Sequence, residues 1–386
     1  MESTPLRIAM LGHKRIPSRE GGVEVVVEAI ATRMAAQGHR VTCYNRRGRH
    51  VSGAQHGTAP LKQFQGVRLI AVPTLDRRGL AAISAACFAA VRAAFGRYDV
   101  VHFHAEGPCI MIWLPKLLGK RCIATIHGLD HQRAKWGRFA GATLRMGERM
   151  AARHADEIIV LSRNVQAYFR TTYGRSTHYI PNGCTLPTHR PADAITRAFG
   201  LAGRDYLLYL GRLVPEKGID CLVDAFRLTQ TPLKLVIAGG ASDTDAFLRQ
   251  LKARAAGDAR IIFTGFVQGQ LLEELYSNPY AYVLPSEVEG MPLSLLEAMS
   301  YGNCCLTSDI PECTEATGGM ALTFACRSVS DLAEKLQMLC DVPVVVEHYR
   351  ACAAGHVIAQ YCWEDIVRRT LALYRTPSPS RKGGFL

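Results

Sequence analysis

Short apolar runs alternate with longer amphipathic stretches along most of this 386-residue chain. At its start, Arg7–Leu11 is an apolar run of strand length, and Gly21-Gly22 precedes a helical pattern at Glu24–Gln37. A glycine ends this helix, and Arg40–Tyr44 resumes the alternation that is typical of a strand. The pattern predicts that the chain opens with a βαβ unit.

The same alternation continues in two series, which predicts parallel sheets covered by helices on both faces. A chain of 386 residues is long enough for two domains of ordinary size. The first series continues with Val67–Val72, Val100–His104, Cys122–His127, Glu157–Leu161 and His178–Ile180. The second series comprises Tyr206–Leu210, Leu233–Ala238, Ile261–Phe263, Ala281–Leu284, Cys304–Thr307 and Ala321–Phe324.

Proline and glycine interrupt the pattern at Ile180-Pro181-Asn182-Gly183, where we place the join between the two domains. We predict two Rossmann-like, doubly wound domains, over residues 1–185 and 195–362, that face each other across a ligand-binding cleft. An amphipathic helix over residues 363–375 is expected to return to the first domain. The tail 376–386 is rich in Pro, Ser, Gly and Lys, and we expect it to be disordered.

Charge is unevenly distributed along the chain, whose formal net charge is +13. Residues 1–190 contain 28 Lys and Arg against 11 Asp and Glu, a charge of +17, whereas residues 191–386 contain 18 against 22, a charge of −4. A basic half attracts phosphate groups on nucleic acid, on an anionic membrane surface or on a polyprenyl-diphosphate carrier. A solvated basic surface without a partner is the other interpretation.

Composition also bounds the cellular context that we expect. The 13 cysteines are scattered, without the two-residue spacing of a zinc or redox motif, so we expect reduced and mostly buried thiols. The start of the chain lacks the pattern of a signal peptide. The longest apolar stretches, Leu80–Phe95 and Cys109–Leu118, fall short of the ~20 uninterrupted residues of a spanning helix. We expect a cytoplasmic protein, with peripheral contact at the inner face of the membrane left open.

The segment after Ala281–Leu284 has the features of a phosphate-binding helix start. Pro292 suits the first turn of a helix, because its missing N–H group costs nothing there. The alternative interpretation is that the nearby glutamates only complement the helix dipole or are solvated. The expected anion site consists of the amides of Gly290, Met291 and Leu293, with Glu289 before the helix and Glu297 about one and a half turns inside it.

Three further places at strand ends carry candidate chemistry. Arg212 and Lys217 follow the strand Tyr206–Leu210; a planar guanidinium and a mobile ammonium together suit a pyrophosphate leaving group, although cations on a bare surface are the alternative. His127 ends a strand and precedes a glycine, which places it better for a ligand than for a core. Gly21-Gly22 at the start of a helix is a weak signal when taken alone.

The string EGMPLSLLEAM, which begins at Glu289 and contains Glu297, closely resembles the paired-glutamate motif of the retaining GT-B glycosyltransferases of family 4. This resemblance covers nearly the whole chain and implies the GT-B fold. It implies that Glu289 lies against the donor sugar, that Glu297 hydrogen-bonds the ribose of the nucleotide, and that Arg212 and Lys217 clamp the diphosphate. It further implies that His127 contacts the sugar, that Gly21 and Gly22 approach the phosphates and acceptor, and that Gly265 and Val267 border the base.

The resemblance implies transfer of a sugar from a nucleoside-diphosphate donor to a hydroxyl of a glycan or lipid-linked acceptor, with retained configuration. The stretch His13–Glu20 resembles bacterial members that act in surface-polysaccharide assembly, some of which are rhamnosyltransferases. We expect no metal and no other cofactor. Asp243-Thr244-Asp245 does fit the metal-binding Asp-x-Asp rule of GT-A enzymes, but capping of the following helix explains it without a metal.

Two other classes of function remain open from the sequence. An epimerase or a phosphorylase can share the GT-B architecture, although no lysine context suggests pyridoxal phosphate and a phosphorylase is normally longer. A basic protein that binds nucleic acid or membrane without catalysis is the other class. No recognised motif interleaves the basic residues with aromatic ones, so we expect no nucleic-acid partner.

Overall fold

The computed structural model describes residues 4–48, 61–75, 80–129, 138–240 and 245–376. Within these ranges, two predominantly parallel sheets are flanked by helices. This architecture confirms the predicted α/β fold class with two doubly wound sheets. The exact domain boundaries stay a prediction.

The first sheet consists of β1 (Arg7–Leu11), β2 (Arg40–Arg46), β3 (Gln63–Phe64), β4 (Val67–Val72), β5 (Val100–His104), β6 (Arg121–Ile126), β7 (Glu157–Val160) and β8 (His178–Tyr179). Its spatial order is β3-β4-β2-β1-β5-β6-β7-β8. Every neighbouring pair is parallel except β3 and β4, which form an antiparallel hairpin. The hydrophobic pattern did not predict β3, because two residues are too few to show a period.

The second sheet consists of β9 (Tyr206–Leu210), β10 (Lys234–Ala238), β11 (Ile261–Gly265), β12 (Ala281–Leu284), β13 (Cys305–Ser308) and β14 (Leu322–Phe324). Its spatial order is β11-β10-β9-β12-β13-β14, and all its pairs are parallel. Each of these strands was predicted to within about two residues, because strands covered on both faces are nearly continuous apolar runs.

Helices connect the strands and cover both sheets. They are α1 (Gly22–Ala36), α2 (Leu80–Ala94), α3 (Trp113–Leu117), α4 (Arg138–His154), α5 (Arg163–Tyr173), α6 (Ala194–Phe199), α7 (Ile219–Leu228), α8 (Asp245–Ala255), α9 (Gln270–Ser277), α10 (Leu293–Ser300), α11 (Pro311–Thr317), α12 (Val329–Asp341), α13 (Pro343–Gln360) and α14 (Trp363–Arg375). Short 3-10 turns lie at Gly107–Met111 and Pro215–Lys217.

Hydrophobic clusters lie on both faces of the first sheet and throughout the second domain. Side chains of α2, α4 and α5 pack on one face of the first sheet. On the other face, side chains of α1 pack with those of α14, among them Trp363 and Tyr374. The chain therefore leaves the first sheet, builds the second and returns with its last described helix to the first.

Each sheet has one point at which the strand order reverses, and open α/β sheets bind ligands at such points. Strand β1 lies between β2 and β5, and β9 lies between β10 and β12. After β1, a Cβ atom on Gly12 would lie 2.1 Å from the carbonyl oxygen of His104. After β9, a Cβ atom on Gly218 would lie 2.2 Å from the carbonyl oxygen of Pro285. The loops at both reversal points therefore pack backbone against backbone.

The described residues also test what composition predicted about the cysteines and about membrane-spanning helices. All 13 cysteines lie among them and none forms a disulfide there; six are buried and seven are half-buried, so fewer are buried than we expected. In these ranges, no helix combines the length and apolar character needed to cross a membrane.

Candidate functional site

Lys217 and Glu289 form an ion pair between the loops that follow β9 and β12. The Nζ atom of Lys217 donates to Oε1 of Glu289, and only 13% and 7% of the two side chains are exposed. Each charge would be costly to bury alone, so the two side chains depend on each other for their positions. Two of the predicted site residues thus meet at the reversal point of the second sheet.

Arg212 lies in the same loop as Lys217 and is half-buried. Its carbonyl oxygen accepts a hydrogen bond from the Tyr209 hydroxyl at 3.0 Å. Burial raises the pKa of Tyr209 well above its ordinary value; the nearby Glu289 raises it further, whereas Arg212 opposes this shift. Both charges therefore act on one hydroxyl. Among the described side chains, none forms a hydrogen bond or ion pair with the Arg212 guanidinium, which remains able to bind an anion.

Helix α10 begins at Leu293, with Pro292 as its N-cap. Pro292 thus lies one position before the predicted first turn, and Glu297 is about one turn into the helix rather than one and a half. No side chain caps this helix, whereas serine hydroxyls cap α5 and α12. Within the described part of the chain, no carbonyl or side chain accepts a hydrogen bond from the backbone amides of Gly290, Met291 and Leu293, which flank Pro292.

The two domains touch at this helix start. A Cβ atom on Gly290 would lie 1.6 Å from the carbonyl oxygen of His127, which follows β6 in the first sheet. A Cβ atom on Gly22, the first residue of α1, would lie 3.4 Å from Cδ1 of Leu293. Two predicted site residues of the first domain, His127 and Gly22, are therefore beside two of the second.

A second histidine, which the sequence pattern did not single out, holds the His127 ring. Nδ1 of His104 lies 3.1 Å from Nε2 of His127, so one ring donates to the other. Burial lowers the pKa of His104 well below its ordinary value, and His102 and His127 lower it further. A neutral His104 therefore fixes the orientation of His127. His104 shares one feature that pointed to His127 in the sequence, since it too lies at the carboxyl end of a buried strand.

Buried histidines near this site make the stability of the fold depend on pH. Burial lowers the pKa of His13 to about 4 and that of His102 to about 3, and it also lowers that of His104. The unfolded chain, with histidine pKa values of about 6.5, binds these protons first as the pH falls. We expect each histidine to remove about 1.4 kcal/mol of unfolding free energy per pH unit between about pH 6.5 and its folded pKa.

Denaturant unfolding at pH 7, 6 and 5 measures this effect. His102→Phe should flatten the dependence relative to the unmodified chain. An equal slope in His102→Phe and in the unmodified chain would contradict the expectation.

Glu297 is held by one residue from each domain. Its Oε1 atom accepts from Nη1 of Arg19 at 2.8 Å, and its Oε2 atom accepts from the Tyr276 hydroxyl at 3.0 Å. The alternative interpretation, in which Glu297 is only solvated, is therefore wrong. Neither partner was singled out from the sequence, since Arg19 lies in the loop after β1 and Tyr276 is a buried residue of α9.

The remaining predicted residues lie at the edges of this arrangement. Gly265 ends the edge strand β11, and its carbonyl accepts from the Gly239 amide at 2.9 Å. Val267 is only 8% exposed and packs in the core of the second domain. Gly21 caps α1 in an extended conformation. Asp243 and Thr244 of the Asp-x-Asp segment lie outside the described residues.

Comparison with protein families matches both halves of the chain. A family described as "Glycosyltransferase Family 4" matches residues 20–186. A second, described as "Glycosyl transferases group 1", matches residues 204–342. The boundary between the two matched ranges lies near the join of the two sheets, and together they include every site residue predicted from the sequence.

Two curated relatives differ in how much of the chain they match. The chain is 30% identical to the O-antigen chain mannosyltransferase B of Escherichia coli over 210 residues, which is 52% of this chain and 52% of that enzyme. It thus spans about half the length of that relative. It is 28% identical to a glycogen synthase of Mycobacterium tuberculosis over 402 aligned residues, which cover 96% of this chain and 94% of that enzyme.

Among solved structures, the Anabaena protein HepE, in complex with UDP and glucose, shares the fold. Its TM-score to this chain is 0.78 at 16% identity, and the match covers 95% of this chain and 98% of HepE. At this identity the likeness concerns the fold alone.

Proposed function

This chain belongs to glycosyltransferase family 4, and we propose that it transfers a glycosyl group from a nucleoside-diphosphate sugar to an acceptor hydroxyl, with retained configuration. The observation that carries the proposal is the arrangement at the start of α10. There, free amides adjoin the Lys217–Glu289 pair and lie opposite His127 of the first domain. The glucose and UDP bound to the related fold of HepE support a donor of this class.

The leaving group accounts for the cations at the reversal point. When the bond between the anomeric carbon and the diphosphate breaks, its electron pair moves onto the leaving phosphate oxygen. Arg212, Lys217 and the amides after Glu289 stabilise this charge, and donors placed in advance are effective because they need no reorganisation. The half-buried guanidinium of Arg212 and the half-buried ammonium of Lys217 then act on the same diphosphate.

The acceptor step follows on the same face of the sugar. The acceptor oxygen bonds to the anomeric carbon, and its proton moves to the leaving phosphate oxygen. Glu289 is already paired with Lys217, so we assign it to stabilising the positively charged ring rather than to nucleophilic attack. His127, oriented by His104, positions the sugar hydroxyls. Glu297, oriented by Arg19 and Tyr276, binds the ribose of the nucleotide.

We propose an acceptor from surface-polysaccharide assembly, either a glycan or a lipid-linked one. The relation to an O-antigen chain mannosyltransferase supports this class of acceptor. The charge of +17 over residues 1–190 favours an acceptor that bears phosphate, such as a polyprenyl diphosphate. The second domain, with its charge near neutrality, then holds the donor.

Transfer is expected to be insensitive to chelation, because the cations above supply the charge that a metal would otherwise supply. Turnover measured with and without EDTA checks this expectation. Asp243→Asn and Asp245→Asn should behave like the unmodified chain in both conditions. A loss of turnover in EDTA that Mg²⁺ restores, together with inactive aspartate variants, would instead assign the Asp-x-Asp segment to metal binding.

The donor is best identified by thermal shift with nucleoside diphosphates and their sugars. A ligand at 100 times its dissociation constant stabilises the folded state by about 2.7 kcal/mol. Uridine, guanosine, thymidine and adenosine forms are compared, and each donor that shifts the melting temperature is assayed for release of the diphosphate with and without acceptor. The absence of any shift across the panel would overturn the proposed donor class.

A further inference from the structure

Helix α2 buries its small residues and exposes its large apolar ones, which is the reverse of an ordinary surface helix. Six alanines form its buried face: Ala85, Ala86, Ala89, Ala90, Ala93 and Ala94. On the outer face, Leu80, Phe88 and Val91 are 42–48% exposed, and Phe95 just after the helix is 75% exposed. These four positions follow the spacing of a single helical stripe. Burial in this chain's own core therefore does not explain them.

The neighbouring helix α3 extends the exposed stripe. It packs against α2, and its Trp113 is 39% exposed while Leu117 is 73% exposed. These two residues are four positions apart and share one face of the helix. We call the outer residues of both helices (Leu80, Phe88, Val91, Phe95, Trp113, Leu117 and Leu118) the apolar stripe. A contiguous exposed surface of this kind marks an interaction site.

The charges around the apolar stripe have one sign. Arg92 and Arg97 are exposed beside it, and Arg145, Arg149 and Arg153 line the exposed side of α4, which packs against α3. In the described residues 80–129 and 138–156, each carboxylate is either paired or buried. Asp99 pairs with Arg7, Asp156 pairs with Lys116, and Glu106 and Glu148 are buried.

We infer that the apolar stripe and its arginines dock on an anionic lipid bilayer. Surfaces that lie in the headgroup region of a bilayer are rich in tryptophan, phenylalanine and leucine beside arginine. The apolar side chains enter the acyl boundary, and the cations contact the lipid phosphates. A second copy of this chain is a poorer occupant, because pairing the same surface would bring arginines against arginines. The absence of an exposed unpaired carboxylate in these ranges also matches a negatively charged partner.

This docking places the ligand cleft at the membrane surface. Helices α2 and α4 lie over one face of the first sheet and α3 packs against both of them, whereas the cleft lies at the carboxyl ends of the strands. Leu80 begins α2 on the cleft side, since it follows β4, so the apolar stripe reaches from the cleft edge to the opposite end of the sheet. A lipid-linked acceptor in the bilayer can then enter the cleft from its rim; this last step alone rests on the proposed function.

Vesicle co-sedimentation tests the docking without any assay of transfer. The unmodified chain should bind vesicles of phosphatidylglycerol and phosphatidylcholine much more tightly than vesicles of phosphatidylcholine alone. Phe95→Ser with Leu117→Ser should lower binding at least tenfold. Arg145→Gln with Arg149→Gln should lower it by about fivefold for each arginine removed, and added salt should reduce the difference.

The matched control replaces apolar residues of similar exposure in the second domain. Leu228 and Val344 are 67% and 72% exposed, and Leu228→Ser with Val344→Ser should leave vesicle binding unchanged. Equal binding by all variants would overturn the inference. So would sedimentation equilibrium in which the unmodified chain dimerises and Phe95→Ser with Leu117→Ser makes it monomeric without loss of vesicle binding. Thermal shifts by nucleoside diphosphates should be the same in every variant, which separates this test from that of the donor.

Discussion

Lys217→Ala is expected to lower kcat/KM by about 10²–10³-fold and also to destabilise the second domain. The catalytic loss follows from removing a cation that meets the developing charge on the leaving diphosphate. The stability loss follows from removing the lysine that pairs with Glu289, whose side chain is only 7% exposed. Removing one member of such a buried pair costs about 3–5 kcal/mol.

A double substitution separates these two effects. Lys217→Ala with Glu289→Ala removes both charges, so the melting temperature should recover relative to Lys217→Ala while the activity should not. Steady-state kinetics at saturating acceptor and thermal unfolding of both variants give the comparison. If the double variant regained activity, the lysine would act only through the stability of the loop.

Lys234→Ala supplies the matched control for this experiment. Lys234 pairs with Asp205 at 2.9 Å, but about a third of each side chain is exposed. An exposed pair is worth about 0–1 kcal/mol, so little change in unfolding or turnover is expected. A loss of activity in Lys234→Ala as large as that in Lys217→Ala would argue against a specific role for the pair at the cleft.

Gly290→Ala is expected to reduce activity by about 100-fold, because a Cβ atom there would lie 1.6 Å from the carbonyl oxygen of His127. That oxygen belongs to backbone and cannot turn away as a flexible side chain would. The loops after β6 and β12 must move apart, which displaces His127 and the free amides from each other. The lowered activity should therefore accompany a wider separation of the two domains.

Kinetics combined with small-angle scattering test this expectation. Gly203→Ala is the control within the same domain, because the nearest atom to its Cβ position is Oδ1 of Asn278, at the ordinary distance of 3.8 Å. We expect Gly203→Ala to keep its activity and radius of gyration. Full activity in Gly290→Ala would mean that the cleft opens at this contact during turnover without cost.

The local pattern of apolar residues, prolines and glycines was enough to predict the start of helix α10 and every described strand except β3. The run Ala281–Leu284 is buried along its whole length, so its apolar character alone marks it as a central parallel strand. The proline at 292 and the glycine at 290 indicated a helix start with free amides. The short hairpin strand β3 was not predicted, since its two residues carry no periodic signal.

The local pattern could not predict contacts between residues that lie far apart in the chain. Glu297 was identified, but its partners Arg19 and Tyr276 are 278 and 21 positions away. His104 was passed over because, although it also ends a strand, it is followed by an alanine and not by a glycine as His127 is. The reversed exposure of α2 was also hidden, because alanine, leucine and phenylalanine all count as apolar along the sequence.

The sequence by itself determined the two-domain α/β fold and the candidate residues at the ends of its strands, because apolar periodicity and backbone-specific residues such as proline and glycine act locally. Only the tertiary structure decided which of those strand ends meet. Strand order in each sheet differs from order in the chain, so it is the order in the sheet that brings Lys217 to Glu289. Domain packing brings Gly290 to His127, because a glycine at that contact lets two backbones approach more closely than any side chain would permit.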